Sequence, residues 1–312
     1  MLVHMDSVRD SDIILRALTP DDAPAVYALM VATELADLGE RLIELEDIES
    51  DWRKPSFRIA EQTAGLFRGE ELVAYAELDR SRADAYVHPD HRGRGLGLAV
   101  VEWTEVAAHR LGFDRIGQTV PTTNTTAISL FTERGYDALW TSWILELADG
   151  AQVAPHLLPS RFRMRQLRAG PDEHDAYRTI EDAFNEWPNR EAMTFEDWRA
   201  GTLGRSDHEP WHLQLIVEDT GDASGAEAIV GVCHLGIFKG DGWVDEIAVR
   251  RDRRGLGLGR ALLAHSFELA RDHGAQRSRL ATDSRTGALG LYEHVGMRIS
   301  QTFTHYSREV SA

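Results

Sequence analysis

Two glycine-rich loops carry the residues best placed to do chemistry: Arg92-Gly93-Arg94-Gly95-Leu96-Gly97 and Arg254-Gly255-Leu256-Gly257-Leu258-Gly259. Each follows a short apolar run and opens an amphipathic stretch. A strand, a glycine turn and a helix start bring several backbone N–H groups to one spot, and such a cradle holds an anion. The loop arginines stand 162 residues apart (254 − 92 = 162) in a chain of 312. Two cradles at half-chain spacing predict a tandem duplication of a phosphate-binding domain.

The elements that must position these loops repeat as well. Ile13-Ile14-Leu15-Arg16-Ala17-Leu18 and Phe162-Arg163-Met164-Arg165-Gln166-Leu167 read as alternating opening strands. Each leads to an acidic, proline-containing turn that starts a helix, at Thr19-Pro20-Asp21-Asp22 and Gly170-Pro171-Asp172-Glu173. Hairpin strands follow at Gly65–Phe67 and Glu71–Ala76, and again at His212–Val217 and Ile229–Phe238. Strands at Ala85–Val87 and Val244–Val249 then feed the loops, and the helices behind them end at Gly112 and Gly274, again 162 apart (274 − 112 = 162). Each half closes with a strand, a short helix with a central aromatic, and a last strand. These features predict an α/β fold, a mixed sheet with helices, as two domains over 1–150 and 161–312 joined by a linker at 151–160.

Composition narrows the function classes. With 43% hydrophobic and 27% charged residues the chain is ordinary globular material, and its length suits two domains of about 150 residues. No apolar run approaches the roughly 20 residues of a membrane span, and the amino terminus lacks the pattern of a signal peptide. Cys233 is the sole cysteine, which excludes an internal disulfide and fits a reducing cytoplasm; its apolar surroundings predict a buried strand residue. A net charge of −17 argues against nucleic acid and anionic membranes as partners. His208, His212, His234 and His305 lack metal-ligand spacing, so no metal is expected and they read as surface or core residues.

The loops lack the G-x-G-x-x-G of a dinucleotide fold and the Gly-Lys-Ser/Thr ending of a P-loop. Arg-x-x-Gly-x-Gly after a valine-ended strand instead resembles the acyl-CoA loop of the GNAT superfamily of N-acetyltransferases, most closely in Val87-His88-Pro89-Asp90-His91-Arg92-Gly93-Arg94-Gly95-Leu96-Gly97. A second motif of that family follows as Asn124-x-x-Ala127-x-x-Leu130-Phe131-x-x-x-Gly135-Tyr136. It recurs as Ala288-x-x-Leu291-Tyr292-x-x-x-Gly296-Met297, with Arg285 or Ser284 at the asparagine position. The resemblance implies a twisted mixed sheet in which two strands splay to admit the pantetheine arm of CoA, with the pyrophosphate on loop amides. Acetyl-CoA is then the cosubstrate. The residues that would hold it are Ile247, Val249, Arg254, Gly255, Leu256, Gly257, Gly259 and Arg260 in the second half, and Val87, Arg92, Gly93, Arg94, Gly95, Gly97 and Asn124 in the first.

Acyl transfer to an amine requires a base or water path for the ammonium proton, an amide that polarises the thioester, and an acid for the leaving thiolate. In the family a tyrosine of the second motif often serves as the acid, and carboxylates before the loop often serve as base. Tyr292 fits the first role, and Asp245 or Glu246 the second. The first half has Phe131 in place of the tyrosine, and Ala83 and Asp84 at the carboxylate positions. The second half is therefore expected to be catalytic and the first degenerate. Alternation along a strand lets only one of Asp245 and Glu246 face the cleft unless a bulge intervenes, with Asp245 preferred. Glu186 and Trp187 are candidates to receive the amine. The reading is an N-acetyltransferase for a small-molecule primary amine, acting by direct attack in a ternary complex, as a monomer or weak homodimer. Two narrower enzymes stay open: an aminoglycoside-type acetyltransferase, and one that acetylates a cysteinyl amine on a sugar–inositol scaffold, although Trp243 stands where the latter pattern has an acid. An acyl-CoA sensor without turnover is the alternative from another class.

Overall fold

The computed structural model describes residues 12–148, 151, 153–154, 156–188, 190–221 and 226–310. The chain forms two compact units, one of residues 1–141 with 302–312 and the other of residues 142–301. The sequence divides the chain near 150–160; the structure divides it at 141/142 and 301/302, so each unit is closed by a strand from the other half of the sequence.

In the first unit the elements run β1 (Ile13–Arg16), α1 (Ala23–Leu38), α2 (Leu45–Trp52), α3 (Ile59–Gln62), β2 (Thr63–Arg68), β3 (Glu71–Asp79), β4 (Arg82–Val87), α4 (Leu96–Leu111), β5 (Arg115–Pro121), α5 (Thr125–Glu133) and the start of β6 (Asp137–Leu147). Strands β1 to β4 form antiparallel neighbours. The parallel contact of β4 with β5 is a single register pair, Arg82 with Gly117.

The second unit holds β7 (Phe162–Gln166), α6 (Glu173–Phe184), α7 (Phe195–Gly201), β8 (Leu213–Asp219), β9 (Glu227–Phe238), β10 (Asp241–Val249), α8 (Leu258–Asp272), β11 (Arg277–Asp283), α9 (Leu289–His294) and the start of β12 (Met297–Glu309). β7 to β10 are antiparallel neighbours, and β10 runs parallel to β11. The exchange of closing strands is explicit in the register. Ser142–Leu147 of β6 pair antiparallel with β11, whereas Phe303–Glu309 of β12 pair antiparallel with β5.

Each sheet buries both faces, as a mixed sheet flanked by helices must. In the first unit, Leu66, Val73 and Leu78 pack with Leu96 and Val100 of α4, while Leu72 and Tyr75 pack with Val26 and Leu29 of α1. In the second, Val230, Leu235 and Val244 pack with Leu262 and Phe267 of α8, and Leu215 and Val232 pack with Ile180 of α6 and Trp198 of α7. The duplication extends to ion pairs. Arg16 grips Asp22 at 2.6 and 2.9 Å at the start of the first unit, and Arg165 grips Asp172 at 2.5 and 3.1 Å in the second. The hydrogen bonds from Arg16 hold the Asp22 carboxyl at about 2, below the usual carboxylate range. Cys233 is fully buried and accepts a hydrogen bond from Ser266, and burial pushes its thiol up to about 12, so it is an inert core residue.

Two outcomes follow. A chain lacking residues 302–312 exposes the β5 edge, so amide exchange in Arg115–Pro121 should accelerate far more than exchange in β11, with a local loss on the order of several kcal/mol. Asp22 has a folded pKa below its unfolded value, so its stabilisation is present above pH about 4 and is lost as pH falls toward about 2. Asp22→Asn should therefore lower Tm at pH 7 and leave Tm near pH 2 unchanged in a thermal scan.

Candidate active site

The site is built where β10 stops pairing with β11. Asp241–Val244 pair with Arg277–Leu280, and no β11 partner exists for β10 beyond Val244. Past that point the β10 edge from Ile247 to Val249 keeps its bonds to β9 and leaves its other side open to an extended ligand. The same opening occurs in the first unit, where β4 beyond Arg82 has no register partner on β5. This is the splay that the family resemblance implies.

A register shift between Val244 and Glu246 makes Asp245 the bulge residue of β10. The bulge breaks alternation and changes what the two carboxylates can do. Glu246 is the register partner of His234, so their side chains share a face, and Asp245 Oδ2 stands 3.7 Å from His234 Nδ1. Glu246 accepts a hydrogen bond from Trp198 Nε1 at 3.2 Å. Asp245 thus stands at His234 with its side chain 45% exposed, while Glu246 is held by Trp198. His234 is a buried core residue whose pKa is lowered to about 3 by burial, so it is neutral across the physiological range.

Tyr292 sits on α9 with 6% of its surface exposed, in the core that includes Cys233 and Val295. Burial raises its hydroxyl to about 12, which keeps it protonated at neutral pH. Its counterpart Phe131 packs edge-on to Tyr136 at 4.9 Å and stacks on Tyr306 at 6.0 Å.

Both glycine loops have the predicted geometry. Gly93, Gly95, Gly255 and Gly257 all have positive φ, which only glycine adopts without strain, and Gly95 and Gly257 are the N-cap residues of α4 and α8. The amides of each first helical turn lack intrahelical partners by construction, which is the requirement for a pyrophosphate cradle. Val87, Ile247 and Val249 pack partly buried on the sheet beside these loops, while Leu256 is exposed. Arg94 bonds back to the Asp90 carbonyl, and Arg260 is exposed on the first turn of α8.

The loop-opening arginines have a structural role that the sequence did not disclose. Arg92 makes a bidentate pair with Asp37 at 2.7 and 3.0 Å, and its Nε bonds the Val87 carbonyl. Arg254 does the same with Glu186 at 2.7 and 3.1 Å and with the Val249 carbonyl. Asn124 caps α5 through Ala127 N–H and also donates to Asp37, tying the second motif to the first loop. In the second unit Thr286, rather than Arg285 or Ser284, accepts from the helix-start amide of Ala288. Arg285 pairs with Asp283 and lies over Trp187, which stacks on Phe184. Glu186 and Trp187 are therefore engaged by this chain's own cations. Among the described residues there is no group of side chains suited to a metal, and no helix long and apolar enough to cross a membrane.

A sheet that opens at a parallel pair beside a glycine loop heading a helix, present twice, is the architecture of a tandem acetyltransferase. The profile of the acetyltransferase (GNAT) family matches residues 25–136 and 173–297; the chain belongs to that family and is an N-acetyltransferase. It is 31% identical to a mycothiol acetyltransferase of Thermobispora bispora, over 89% of this chain and 93% of that one. A GCN5-related N-acetyltransferase from Sphaerobacter thermophilus superposes with a TM-score of 0.74 at 30% identity, covering 97% of each chain. A tandem GNAT protein from the clavulanic acid biosynthesis pathway shares the fold, with a TM-score of 0.69 at 16% identity over 96% and 99% of the two chains.

The Arg254–Glu186 pair is partly exposed, so it contributes about 0–1 kcal/mol to stability. Glu186→Ala should shift Tm by only a few degrees while raising KM for acetyl-CoA by roughly fivefold, the equivalent of about 1 kcal/mol of loop order. A larger change in kcat than in KM would mean that Glu186 acts on the acceptor instead.

Proposed function

We propose that the second unit transfers the acetyl group of acetyl-CoA to the primary amine of a small molecule by direct attack in a ternary complex. The observation that carries this reading is the bulge at Asp245, which sets a solvent-reaching carboxylate on β10 directly past the end of its pairing with β11. The acids at the matching place in the first unit, Asp84 and its register partner Glu77, are held otherwise, with Glu77 accepting from Trp52 and Tyr75 and raised to about 7 by burial. Acetyl-CoA supplies the thioester. The open β10 edge and the α8 N-terminus are suited to orient it. Asp245 takes the proton of the acceptor ammonium directly or through water, Glu246 being held by Trp198. The amine nitrogen forms a bond to the acyl carbon, the C–S bond breaks, and the Tyr292 hydroxyl gives its proton to the thiolate.

The acceptor class draws support from two sides. The 31% identical mycothiol acetyltransferase spans nearly the whole chain, which favours a mycothiol-type acceptor over an aminoglycoside. Trp243, at the position where that pattern has an acid, is instead partnered by the Arg279 guanidinium 5.4 Å from its ring, so the acidic role shifts to the neighbouring bulge. We place the first unit as an acyl-CoA-binding half without turnover, and the enzyme in the cytoplasm.

The test incubates the protein with labelled acetyl-CoA and a pooled extract of small-molecule amines, including mycothiol precursors, and follows labelled products by mass spectrometry. Tyr292→Phe should lower kcat about 10- to 100-fold and Asp245→Asn about 100-fold or more, each with little change in KM for acetyl-CoA. Because Tyr292 keeps its proton up to about 12, the rate should show no basic limb from this residue below pH about 11. CoA binding without any labelled product would support the sensor alternative.

A further inference from the structure

We propose that Gln118 makes the first unit's opening a filter against the arm of the cofactor, so that the first loop holds acyl-CoA by its diphosphate end while the second engages the whole molecule. The proposal rests on the reading of both loops as acyl-CoA cradles. The two open edges can be compared residue by residue. In the first unit His88 N–H bonds the Val73 carbonyl of β3, so alternation along β4 turns the polar groups of Val87 and Ala85 the other way, toward β5. In the second, Arg250 N–H bonds the Val230 carbonyl of β9, which turns those of Val249 and Ile247 away from β9. At the loop end the edges agree: the Val87 carbonyl accepts from Arg92 Nε, and the Val249 carbonyl from Arg254 Nε. At the next outward carbonyl they differ.

Gln118 of β5 is buried and donates its side-chain Nε2 to the Ala85 carbonyl at 3.0 Å. That bond spans the gap that opens after the single register pair of Arg82 with Gly117. An amide N–H of the chain itself thus sits where the amide of an extended arm would pair with the strand edge. The matching position in the second unit, 162 residues on, is Leu280, a buried side chain with no donor (118 + 162 = 280). Among the described residues no side chain donates to the Ile247 carbonyl. Ala85 therefore has its partner before any ligand arrives, whereas the Ile247 carbonyl is left to solvent or to a ligand amide. An arm entering the first opening must break a formed hydrogen bond to make a similar one, so the exchange adds nothing to its affinity. Phosphates on the amides of the first glycine loop are untouched by that exchange. The two loops, alike in sequence, then select different parts of one molecule.

The test follows amide exchange by mass spectrometry in the full chain, titrated with CoA and with 3′-phosphoadenosine 5′-diphosphate, which keeps the diphosphate and lacks the arm. Peptides covering 87–97 and 249–259 report the two loops separately. In the wild type the midpoints of the two ligands at the first loop should agree within about threefold, while the second loop should favour CoA by roughly tenfold or more. Gln118→Met keeps the length of the side chain and removes the donor. It should lower the CoA midpoint at the first loop about fivefold and leave the armless midpoint there unchanged. A first loop that favours CoA by about tenfold in the wild type would overturn the filter, and so would an unchanged CoA midpoint in Gln118→Met. Weaker CoA binding at the first loop of that variant would overturn it too, by making Gln118 a ligand of the arm. All three results leave the cradle reading standing. A first loop that neither ligand protects would sink the first unit's binding role and the filter together.

Discussion

The structure depends on where one parallel pair of strands stops. Four residues of β10 pair with β11, and after Val244 the ladder ends. Backbone groups cannot be left without partners in a folded interior, so a strand edge that opens inside a sheet must be met by solvent or by a ligand. The opening comes directly before a glycine turn and a helix start, which add a second set of unpaired N–H groups at its far end. An extended molecule with an amide-bearing arm and a phosphate terminus satisfies both sets at once. The bulge at Asp245 belongs to the same event, because the extra residue comes directly after Val244, the last residue of β10 that pairs with β11.

A loop of this kind is useful only if it is held still before its ligand arrives, since ordering it on binding would cost affinity. Glycine makes the geometry possible and the flexibility a liability. Both units answer with the same device, an arginine at the loop entrance locked to an acid from the helix that follows the opening strand and to the carbonyl of the last strand residue. The acids differ in place: Asp37 lies inside the last turn of the 16-residue α1, and Glu186 lies two residues beyond the 12-residue α6. What is repeated is the position in space.

That difference explains how much of the molecule was legible in its sequence. The loops, their arginines and the helix ends at Gly112 and Gly274 were readable because a fixed offset of 162 residues survives wherever two copies keep equal element lengths. Asp37 was invisible because α1 and α6 differ in length. The exchange of β6 and β12 was invisible for another reason. β5 and β11 both present an antiparallel edge, and the closing strands are patterned alike, so local alternation cannot say which edge each strand takes. The bulge was foreseen only as a condition, since one extra residue leaves no mark in a nine-residue strand. Thr286 escaped because α9 begins later after its motif than α5 does, which moves the capping residue out of alignment.

The asymmetry between the units can be argued from cost. A tyrosine in a core position must bury a hydroxyl, and burial without full hydrogen bonding costs about 1–3 kcal/mol relative to phenylalanine. The first unit avoids that cost: Phe131 is 3% exposed among Tyr136 and Tyr306, where two aromatic contacts favour a plain ring. The second unit accepts it at Tyr292, although the same helix position in a similar core would take phenylalanine equally well. It also keeps a bulged acid near a neutral histidine. The buried tyrosine and the bulged acid both lie in the second unit, and they are the two side chains that the proposed transfer would use. The first unit has the plain ring at that helix position and a different pair of acids, Asp84 opposite Glu77, at its own strand opening.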